Sequence, residues 1–381
     1  MASSSGNFHL AVEHNAITVN HVPTHGKAYY PQNLRIWFHR TIRVPDNLGA
    51  SQLPPGLGDF PLFRVKNYAS KLPADMVARG GVFFPMHQKE ALWIRMSATA
   101  PFMVKIYAGG VNVVSGEHKA ESAETRRRRA DRHARGENIQ DYVVPPLQYW
   151  VDGFAVAPGV VRQFVAMPVG SGYNLEAQFA PEETIGGLQL EITPARPELV
   201  PWDAARSASS GQAAPMGIAP GGRIRQCIVP DPYDAAIWSR DTTLAVAVQI
   251  LNSAGFRAVT GLDPPPSPVG AQAYADAGLP FFQLDESSWA GSAIAGLYQR
   301  FKSVNERDQA LGIAKDYEDD VAPRLVQLGH RRVHVDRARI RDPQGLVSPA
   351  GPHREFRAVD DLRKEAEEDR KSAGPAPGVR T

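Results

Sequence analysis

Four consecutive arginines form the densest cluster of one charge in the sequence: Arg126, Arg127, Arg128 and Arg129. Guanidinium groups bind phosphate and carboxylate oxygens in pairs, so this arginine run is a candidate site for RNA or another anion. Acidic residues on both sides of the run, from Glu117 to Glu137, offset part of its charge. No aromatic residue stands among the arginines to stack on a base. The pattern therefore favours a solvated surface segment over a nucleic-acid site.

Three aspartates surround two aromatic residues later in the chain: Asp231, Asp234 and Asp241, with Tyr233 and Trp238. A glycosidase needs two carboxyl groups at a set distance across the sugar, and aromatic side chains offer a ligand both an apolar ring and a polar edge. The aspartates are thus candidate catalytic residues, and the two rings candidate ligand-binding residues, of a carbohydrate-active or carbohydrate-binding protein. Surface aspartates and half-buried tryptophans are also common without either function.

The histidines predict no metal site. Six of them fall in the first quarter of the chain, at positions 9, 14, 21, 25, 39 and 87, without the spacing of zinc ligands. His330 and His334 are four residues apart, but arginines flank them and the glutamate of the zinc-protease motif is missing. Structural or exposed histidines are the plainer interpretation.

Signatures of nucleophilic catalysis and of cofactor binding are also missing. Ser171 lies between two glycines without the full G-x-S-x-G pattern, which indicates a turn. Cys227 has apolar neighbours that indicate a packed thiol. The sequence contains no P-loop and no G-x-G-x-x-G. These observations predict no cofactor and lean away from an enzyme without deciding the question.

Short alternating runs between Pro and Gly clusters predict strands, because side chains of a strand point to opposite faces in turn. The clearest runs are Leu34–Val44, Leu92–Met96, Phe102–Ile106, Val161–Met167, Leu188–Ile192 and Leu244–Ile250. In the first run, the apolar side chains of Leu34, Ile36 and Phe38 share one face, and Arg35, Trp37 and His39 share the other. We expect the second and third runs to pair as a hairpin.

The predicted fold is mainly β. A flexible tail (1–6) precedes a β-sandwich or jelly-roll-like domain (7–200), in which residues 116–137 form a charged, arginine-rich insertion. A linker (201–220), a smaller β-rich region with short helices (221–329) and a disordered charged tail (330–381) complete the chain.

Composition restricts the compartment and the kinds of partner that we expect for this protein. The chain has 381 residues, a formal net charge of +2 and one cysteine. A nearly balanced charge demands neither a nucleic acid nor a membrane surface, and a lone cysteine favours a reducing, cytoplasmic compartment, with secretion without disulfides as the alternative. No apolar stretch approaches the roughly 18–20 residues of a membrane helix, so we expect no membrane span.

Several phrases resemble a family of uncharacterised fungal and bacterial proteins: MHQKEALWIRM at Met86, IYAGGVNVVSGE at Ile106, QDYVVPP at Gln140 and VRQFVAMPVGSGYNLEAQ at Val161. The resemblance covers about His39 to Phe282. Some members of the family are labelled integral membrane proteins, and some lie beside ubiquitin-like sequence. The resemblance implies no activity, cofactor or catalytic residue.

Together these features predict a non-enzymatic binding or assembly protein that presents a sheet face or loops to a protein or glycan partner, or to another copy of itself. Two alternatives stay open. One is a carbohydrate-active or carbohydrate-binding protein that uses the Asp231–Asp241 region. The other is an RNA- or anion-binding protein that uses the arginine run.

Overall fold

The computed structural model describes residues 7–22, 32–47, 49–179, 186–196, 199, 216–268, 270–284, 301–312, 324–328 and 345–372. The strands of this part are β1 (Asn7–Glu13), β2 (Ala16–Val22), β3 (Gln32–Thr41), β4 (Ala50–Ser51), β5 (Gly56–Asp59), β6 (Phe63–Arg64), β7 (Val82–Met86), β8 (Ala91–Ala98), β9 (Phe102–Ala108), β10 (Val111–Asn112), β11 (Trp150–Val151), β12 (Gly153–Ala157), β13 (Val160–Pro168), β14 (Leu188–Pro194), β15 (Met216–Arg225), β16 (Leu244–Asn252), β17 (Pro280–Leu284) and β18 (Arg324–Leu328). The α-helices are α1 (Ala74–Arg79), α2 (Ala123–Ala134), α3 (Leu175–Phe179), α4 (Ser253–Thr260), α5 (Ala271–Asp276), α6 (Val304–Ala310) and α7 (Val359–Ser372). Short 3-10 helices occupy Val65–Tyr68, Ala235–Ile237 and Arg240–Thr242.

The described strands form two large sheets and one parallel pair, β17–β18, and neither large sheet closes into a barrel. The first sheet has the order β1-β2-β3-β8-β13-β15-β4, with β5, β11 and β12 paired to β3, β8 and β13. The second sheet has the order β10-β9-β14-β16-β7-β6. The architecture is therefore mixed α/β and strand-rich: the predicted β-rich body is present, but it carries more helix than the mainly β prediction implied.

One apolar core lies between the two sheets. Ile36 and Phe38 of β3 belong to the same buried cluster as Ile106 of β9, Leu190 of β14 and Val248 of β16. In β3 of the first sheet, burial alternates from Gln32 to Arg35, and every residue from Ile36 to Thr41 is buried. Strands β9 and β7 are buried at every position because helices cover the outer face of the second sheet.

The predicted hairpin between the second and third alternating runs is wrong. β8 pairs with β3, β11 and β13 in the first sheet, whereas β9 pairs with β10 and β14 in the second. The short connection at residues 99–101 carries the chain from one sheet to the other. Alternation identifies the face of a strand that is buried, but it does not identify the neighbour of that strand.

Among its described strands, the predicted smaller region (221–329) has one sheet of its own, the parallel pair β17–β18, and its other strands join the two large sheets. β15 begins inside the predicted linker and pairs with β13 in the first sheet. β16 pairs with β14 and β7 in the middle of the second sheet. The segments on both sides of the predicted linker thus contribute to the same two sheets.

The predicted disordered tail differs from the structure over residues 345–372. This segment contains α7, whose Val359, Leu362 and Ala366 are buried in one cluster with Tyr142 and Trp238. The predicted tail at 1–6, the linker at 201–215 and residues 330–344 and 373–381 lie outside the described residues.

Candidate functional site

The arginine run lies on α2, which begins after Ser122, whose hydroxyl accepts a hydrogen bond from the Thr125 N–H. α2 packs along α7. Arg126 Nε donates to Asp369 Oδ2 of α7 at 3.0 Å. Arg127 is exposed and has no ion pair with any described residue.

Arg129 of the same run is only 4% exposed and faces the protein. Its guanidinium lies 2.6 Å from Glu117 Oε2 and also contacts the carboxylates of Glu121 and Glu365. Burial alone would lower the pKa of Arg129, but Glu117 and Glu121 outweigh it and raise that pKa. Burial likewise favours a high pKa for Glu121, yet Arg129 and Arg357 hold it at about 2. Flanking acidic residues and carboxylates of α7 therefore pair with Arg126, Arg128 and Arg129 in the fold, and Arg127 is the exception among the described contacts.

The aspartate and aromatic group of 231–241 lies at the start of α7. Tyr142 Oη donates to Asp231 Oδ2 at 2.6 Å and accepts from the Val359 N–H at 3.0 Å. Burial raises the pKa of Asp231, and the hydrogen bond from Tyr142 opposes the rise. Asp231 thus links the body of the protein to α7.

Two other members lie beside Asp231: the Tyr233 N–H donates to Asp231 Oδ1 at 2.9 Å, and the Trp238 side chain helps to oppose the rise in the pKa of Asp231. Asp234 Oδ1 accepts from the Ala236 N–H and caps a short helix. Trp238 is fully buried, with the ring of Tyr233 at its edge at a centroid distance of 6.0 Å. Asp241 falls in the 3-10 helix Arg240–Thr242, and its side chain lies outside the description. Because Trp238 is buried, its ring does not form a solvent-facing platform for a sugar.

A second group of side chains that can bind a ligand, made of aromatic rings and cationic groups, covers the face of the first sheet that points away from the shared core. We call it the aromatic face, and it consists of Arg35, Trp37, His39, Trp93, Arg95 and Trp150. Residues directly opposite each other on neighbouring strands share a face, and Arg95 of β8 lies opposite both Trp37 of β3 and Trp150 of β11. The guanidinium carbon of Arg95 is 5.9 Å from the ring centroid of Trp37, a cation–π distance.

The neighbouring row of the aromatic face pairs His39 with Trp93. The two rings stack at a centroid distance of 4.1 Å, and His39 Nδ1 lies 2.6 Å from Asp59 Oδ1. Trp93, Arg95 and Trp150 are half-buried, so part of this face is open to solvent.

Donor groups on the aromatic face lack acceptors. The indole N–H groups of Trp37 and Trp150 are buried and have no hydrogen-bond partner among the residues that the structure describes. Neither Arg35 nor Arg95 makes an ion pair or hydrogen bond with a described residue. Burial lowers the pKa of Arg95, and the nearby Asp59 carboxylate offsets part of that effect. Buried donors without acceptors cost free energy, so this face matches a ligand that supplies oxygen atoms.

The remaining candidates of the sequence do not converge. Ser171 Oγ donates to the carbonyl of Pro168 within a turn, as predicted. Cys227 is half-buried and lies beyond the end of β15 rather than in a strand. Within the described residues, no three His, Cys, Asp or Glu side chains are grouped to hold a metal ion. In the same part of the chain, every helix is too short or too polar to cross a bilayer.

Sequence reasoning placed Arg35, Trp37 and His39 on one face of β3 but did not recognise the site. The alternation of Trp93 and Arg95 in the run Leu92–Met96 carries the same signal for β8. The pairing of these strands, which brings the two sets together, is visible only in the fold.

Comparison of the chain with models of protein families, with curated proteins and with solved structures finds no match. The resemblance of the segment from His39 to Phe282 to a family of fungal and bacterial proteins therefore stays a prediction.

Proposed function

We propose that the chain is a binding protein that holds an acidic glycan on the aromatic face, and that its two sheets form a jelly-roll-like β-sandwich. The observation that carries the proposal is the row Trp37–Arg95–Trp150, in which half-buried Arg95 has a tryptophan opposite it on each neighbouring strand and no acceptor among the described residues. Flat aromatic side chains with a few convergent polar groups are the usual lining of a small-molecule site.

The charge of the row favours an anion. Arg95 and Arg35 are cationic and unpaired with described residues, and a carboxylate can bind a guanidinium through two parallel hydrogen bonds. Such charge-assisted bonds are stronger than neutral ones, particularly where water is partly excluded.

The hydrogen-bonding character of the row favours a glycan over an acidic peptide. Arg and Trp side chains carry donors only. A peptide strand presents backbone N–H donors as well as acceptors, and the row has no acceptor for those donors. A uronic-acid chain presents carboxylate, ring and glycosidic oxygens, and its hydroxyl groups, unlike a peptide N–H, can accept as well as donate. Its apolar ring faces can pack on the half-buried indoles of Trp93 and Trp150.

The two alternatives from the sequence have less support. The arginine run already has carboxylate partners at Arg126 and Arg129. Asp231 and Trp238 are engaged in packing α7 against the body of the protein. Both alternatives would require these contacts to open.

The test is calorimetric titration with oligogalacturonate, with a neutral maltooligosaccharide of equal length and with an oligoglutamate peptide. We expect oligogalacturonate alone to bind, with an affinity that falls as salt is added. Arg95→Met keeps the aliphatic stem and removes the charge, and it should weaken binding about 10- to 100-fold, the value of a charge-assisted hydrogen bond.

Arg127→Met is the matched control, because it removes an equally unpaired arginine from α2 and should leave binding unchanged. Equal binding of the neutral sugar, or wild-type affinity in Arg95→Met, would refute the proposal. Binding of oligoglutamate alone would instead make the aromatic face a receptor for acidic peptides.

A further inference from the structure

Two residues of nucleophile and base type lie at one end of the second sheet. β7 and β16 are adjacent and parallel, with Met86 opposite Asn252 at their carboxyl ends. The next residues in the chain are His87 and Ser253. The carboxyl ends of neighbouring parallel strands meet at one edge, which is where ligand sites of open sheets commonly form.

The hydrogen bonds of His87 define its tautomer. His87 Nε2 lies 2.8 Å from the carbonyl oxygen of Pro265, and Nδ1 lies 2.9 Å from Ser253 Oγ. A carbonyl oxygen only accepts, so Nε2 carries the proton and donates it. Nδ1 of the neutral ring is then an acceptor, and the Ser253 hydroxyl donates to it. This is the orientation that lets an imidazole withdraw a proton from a serine.

The surroundings hold the histidine in place. Glu90 Oε2 accepts from the backbone N–H of His87 at 2.8 Å, and Glu90 Oε1 pairs with Arg40 Nε at 2.7 Å. Arg40 also donates to the carbonyl oxygen of Pro266, beside the Pro265 carbonyl that His87 contacts. The proline segment therefore supplies a fixed acceptor in the position where catalytic triads have a carboxylate.

Ser253 also has the local setting of an accessible nucleophile. It is the first residue of α4 and directly follows β16, a strand-to-helix junction with Gly255 two positions later. The G-x-S-x-G elbow has the same strand-serine-helix order, and Leu251 stands here in place of its first glycine. Ser253 and His87 are half-buried, and their neighbours Gln88 and Ala254 are exposed, so solvent and a small substrate reach the pair.

We propose that Ser253 is a nucleophile for carboxylic esters, with His87 as its general base. Ser253 Oγ forms a bond to the ester carbonyl carbon while its proton moves to His87 Nδ1. The bond from that carbon to the alkoxy oxygen breaks, and the alkoxide leaves with the proton as an alcohol. A water molecule then gives one proton to His87 and its hydroxide to the acyl carbon, which releases the acid and returns the proton to Ser253.

This activity goes beyond glycan binding, because it uses the second sheet and none of the residues of the aromatic face. The experiment is labelling of the full chain with a fluorophosphonate, in which the serine oxygen displaces fluoride from phosphorus, followed by mass spectrometry of the labelled peptide. We expect one label on Ser253, loss of it in Ser253→Ala, and labelling about 100-fold slower in His87→Gln, the scale of general-base catalysis.

Ser171→Ala is the matched control, because the Ser171 hydroxyl donates to a backbone carbonyl and has no imidazole beside it. It should be labelled at the wild-type rate. Ser253→Cys tests the pair without loss of the side chain, and its thiol should react with iodoacetamide faster than Cys227 does. An unlabelled wild-type chain, a label on another serine, or a wild-type rate in His87→Gln would each overturn the proposal.

Discussion

Arg129 should stabilise the junction of α2 and α7, although its neighbour Arg127 should not. Replacement of Arg129 by Met keeps the buried stem and removes the guanidinium that contacts Glu117, Glu121 and Glu365. Loss of one partner of a buried ion pair leaves a carboxylate without compensation, which costs about 3–5 kcal/mol.

The cost here should lie at the lower end of that range. Glu117 keeps Arg354 Nη1 at 2.9 Å, and Glu121 keeps Arg357 Nη2 at 3.3 Å. We therefore expect the free energy of unfolding to fall by about 3 kcal/mol. With an unfolding entropy of about 2.1 cal/mol/K per residue, a 381-residue chain that melts as one unit loses about 4 °C in Tm.

Differential scanning calorimetry at neutral pH measures this shift. Arg127→Met changes the net charge equally at an exposed position, and its Tm should stay within about 1 °C of the wild type, as for most surface substitutions. Equal shifts in the two variants would show that the loss of charge, and not the buried network, sets the stability of the α2–α7 junction.

Three further changes test other parts of the fold. The pKa of Glu121 is about 2, below its ordinary 4.5, so the stability that Glu121 contributes is complete above pH 4.5 and is lost as the pH falls towards 2. After a discount for the partial exposure of Glu121, this contribution is about 1 to 2 kcal/mol. In Glu121→Gln, the urea midpoint should therefore depend less on pH between 4.5 and 2 than it does in the wild type. Lys105→Met should cost about 3–5 kcal/mol in urea unfolding, because it leaves the buried Asp141 carboxylate without its ammonium partner at 2.9 Å, and Lys105→Met with Asp141→Leu should recover most of the loss. Gly81→Ala should greatly reduce the folded yield, because Gly81 has φ +76° and a Cβ there would lie 2.0 Å from a carbonyl oxygen. In the control Gly136→Ala, the new Cβ meets open space, and the free energy of unfolding should fall by only about 1 kcal/mol.

The strands were predictable from the two-residue spacing of their apolar side chains. Leu34, Ile36 and Phe38 alternate with polar or aromatic residues, and β3 buries the apolar set in the shared core. The run Leu244–Ile250 was predicted as a strand, and it forms β16 in the middle of the second sheet, where Ala245 and Ala247 are buried as well. In each case the side-chain period of two is present in the sequence itself.

Partners in space were not predictable in the same way. β8 and β9 have equally good alternation and a short connection, yet they belong to different sheets. α2 and α7 look fully solvated in sequence because their apolar residues are few, and the arginine–carboxylate pairs between them join segments more than 230 residues apart. The His87–Ser253 contact depends on the parallel pairing of β7 and β16, which no local pattern encodes.

The arginines of this protein show why residue type alone does not identify a binding site. The arginine run has the higher charge density, but Arg129 and Arg126 contact carboxylates of the same chain, so binding an external anion there requires that those pairs first break. Arg95 lies among aromatic rings with the Asp59 carboxylate nearby, and it makes no hydrogen bond or ion pair with a described residue. An anion that binds Arg95 would gain charge-assisted hydrogen bonds without breaking internal ones, and for this reason we propose Arg95 as the site although its signal in the sequence is the weaker one.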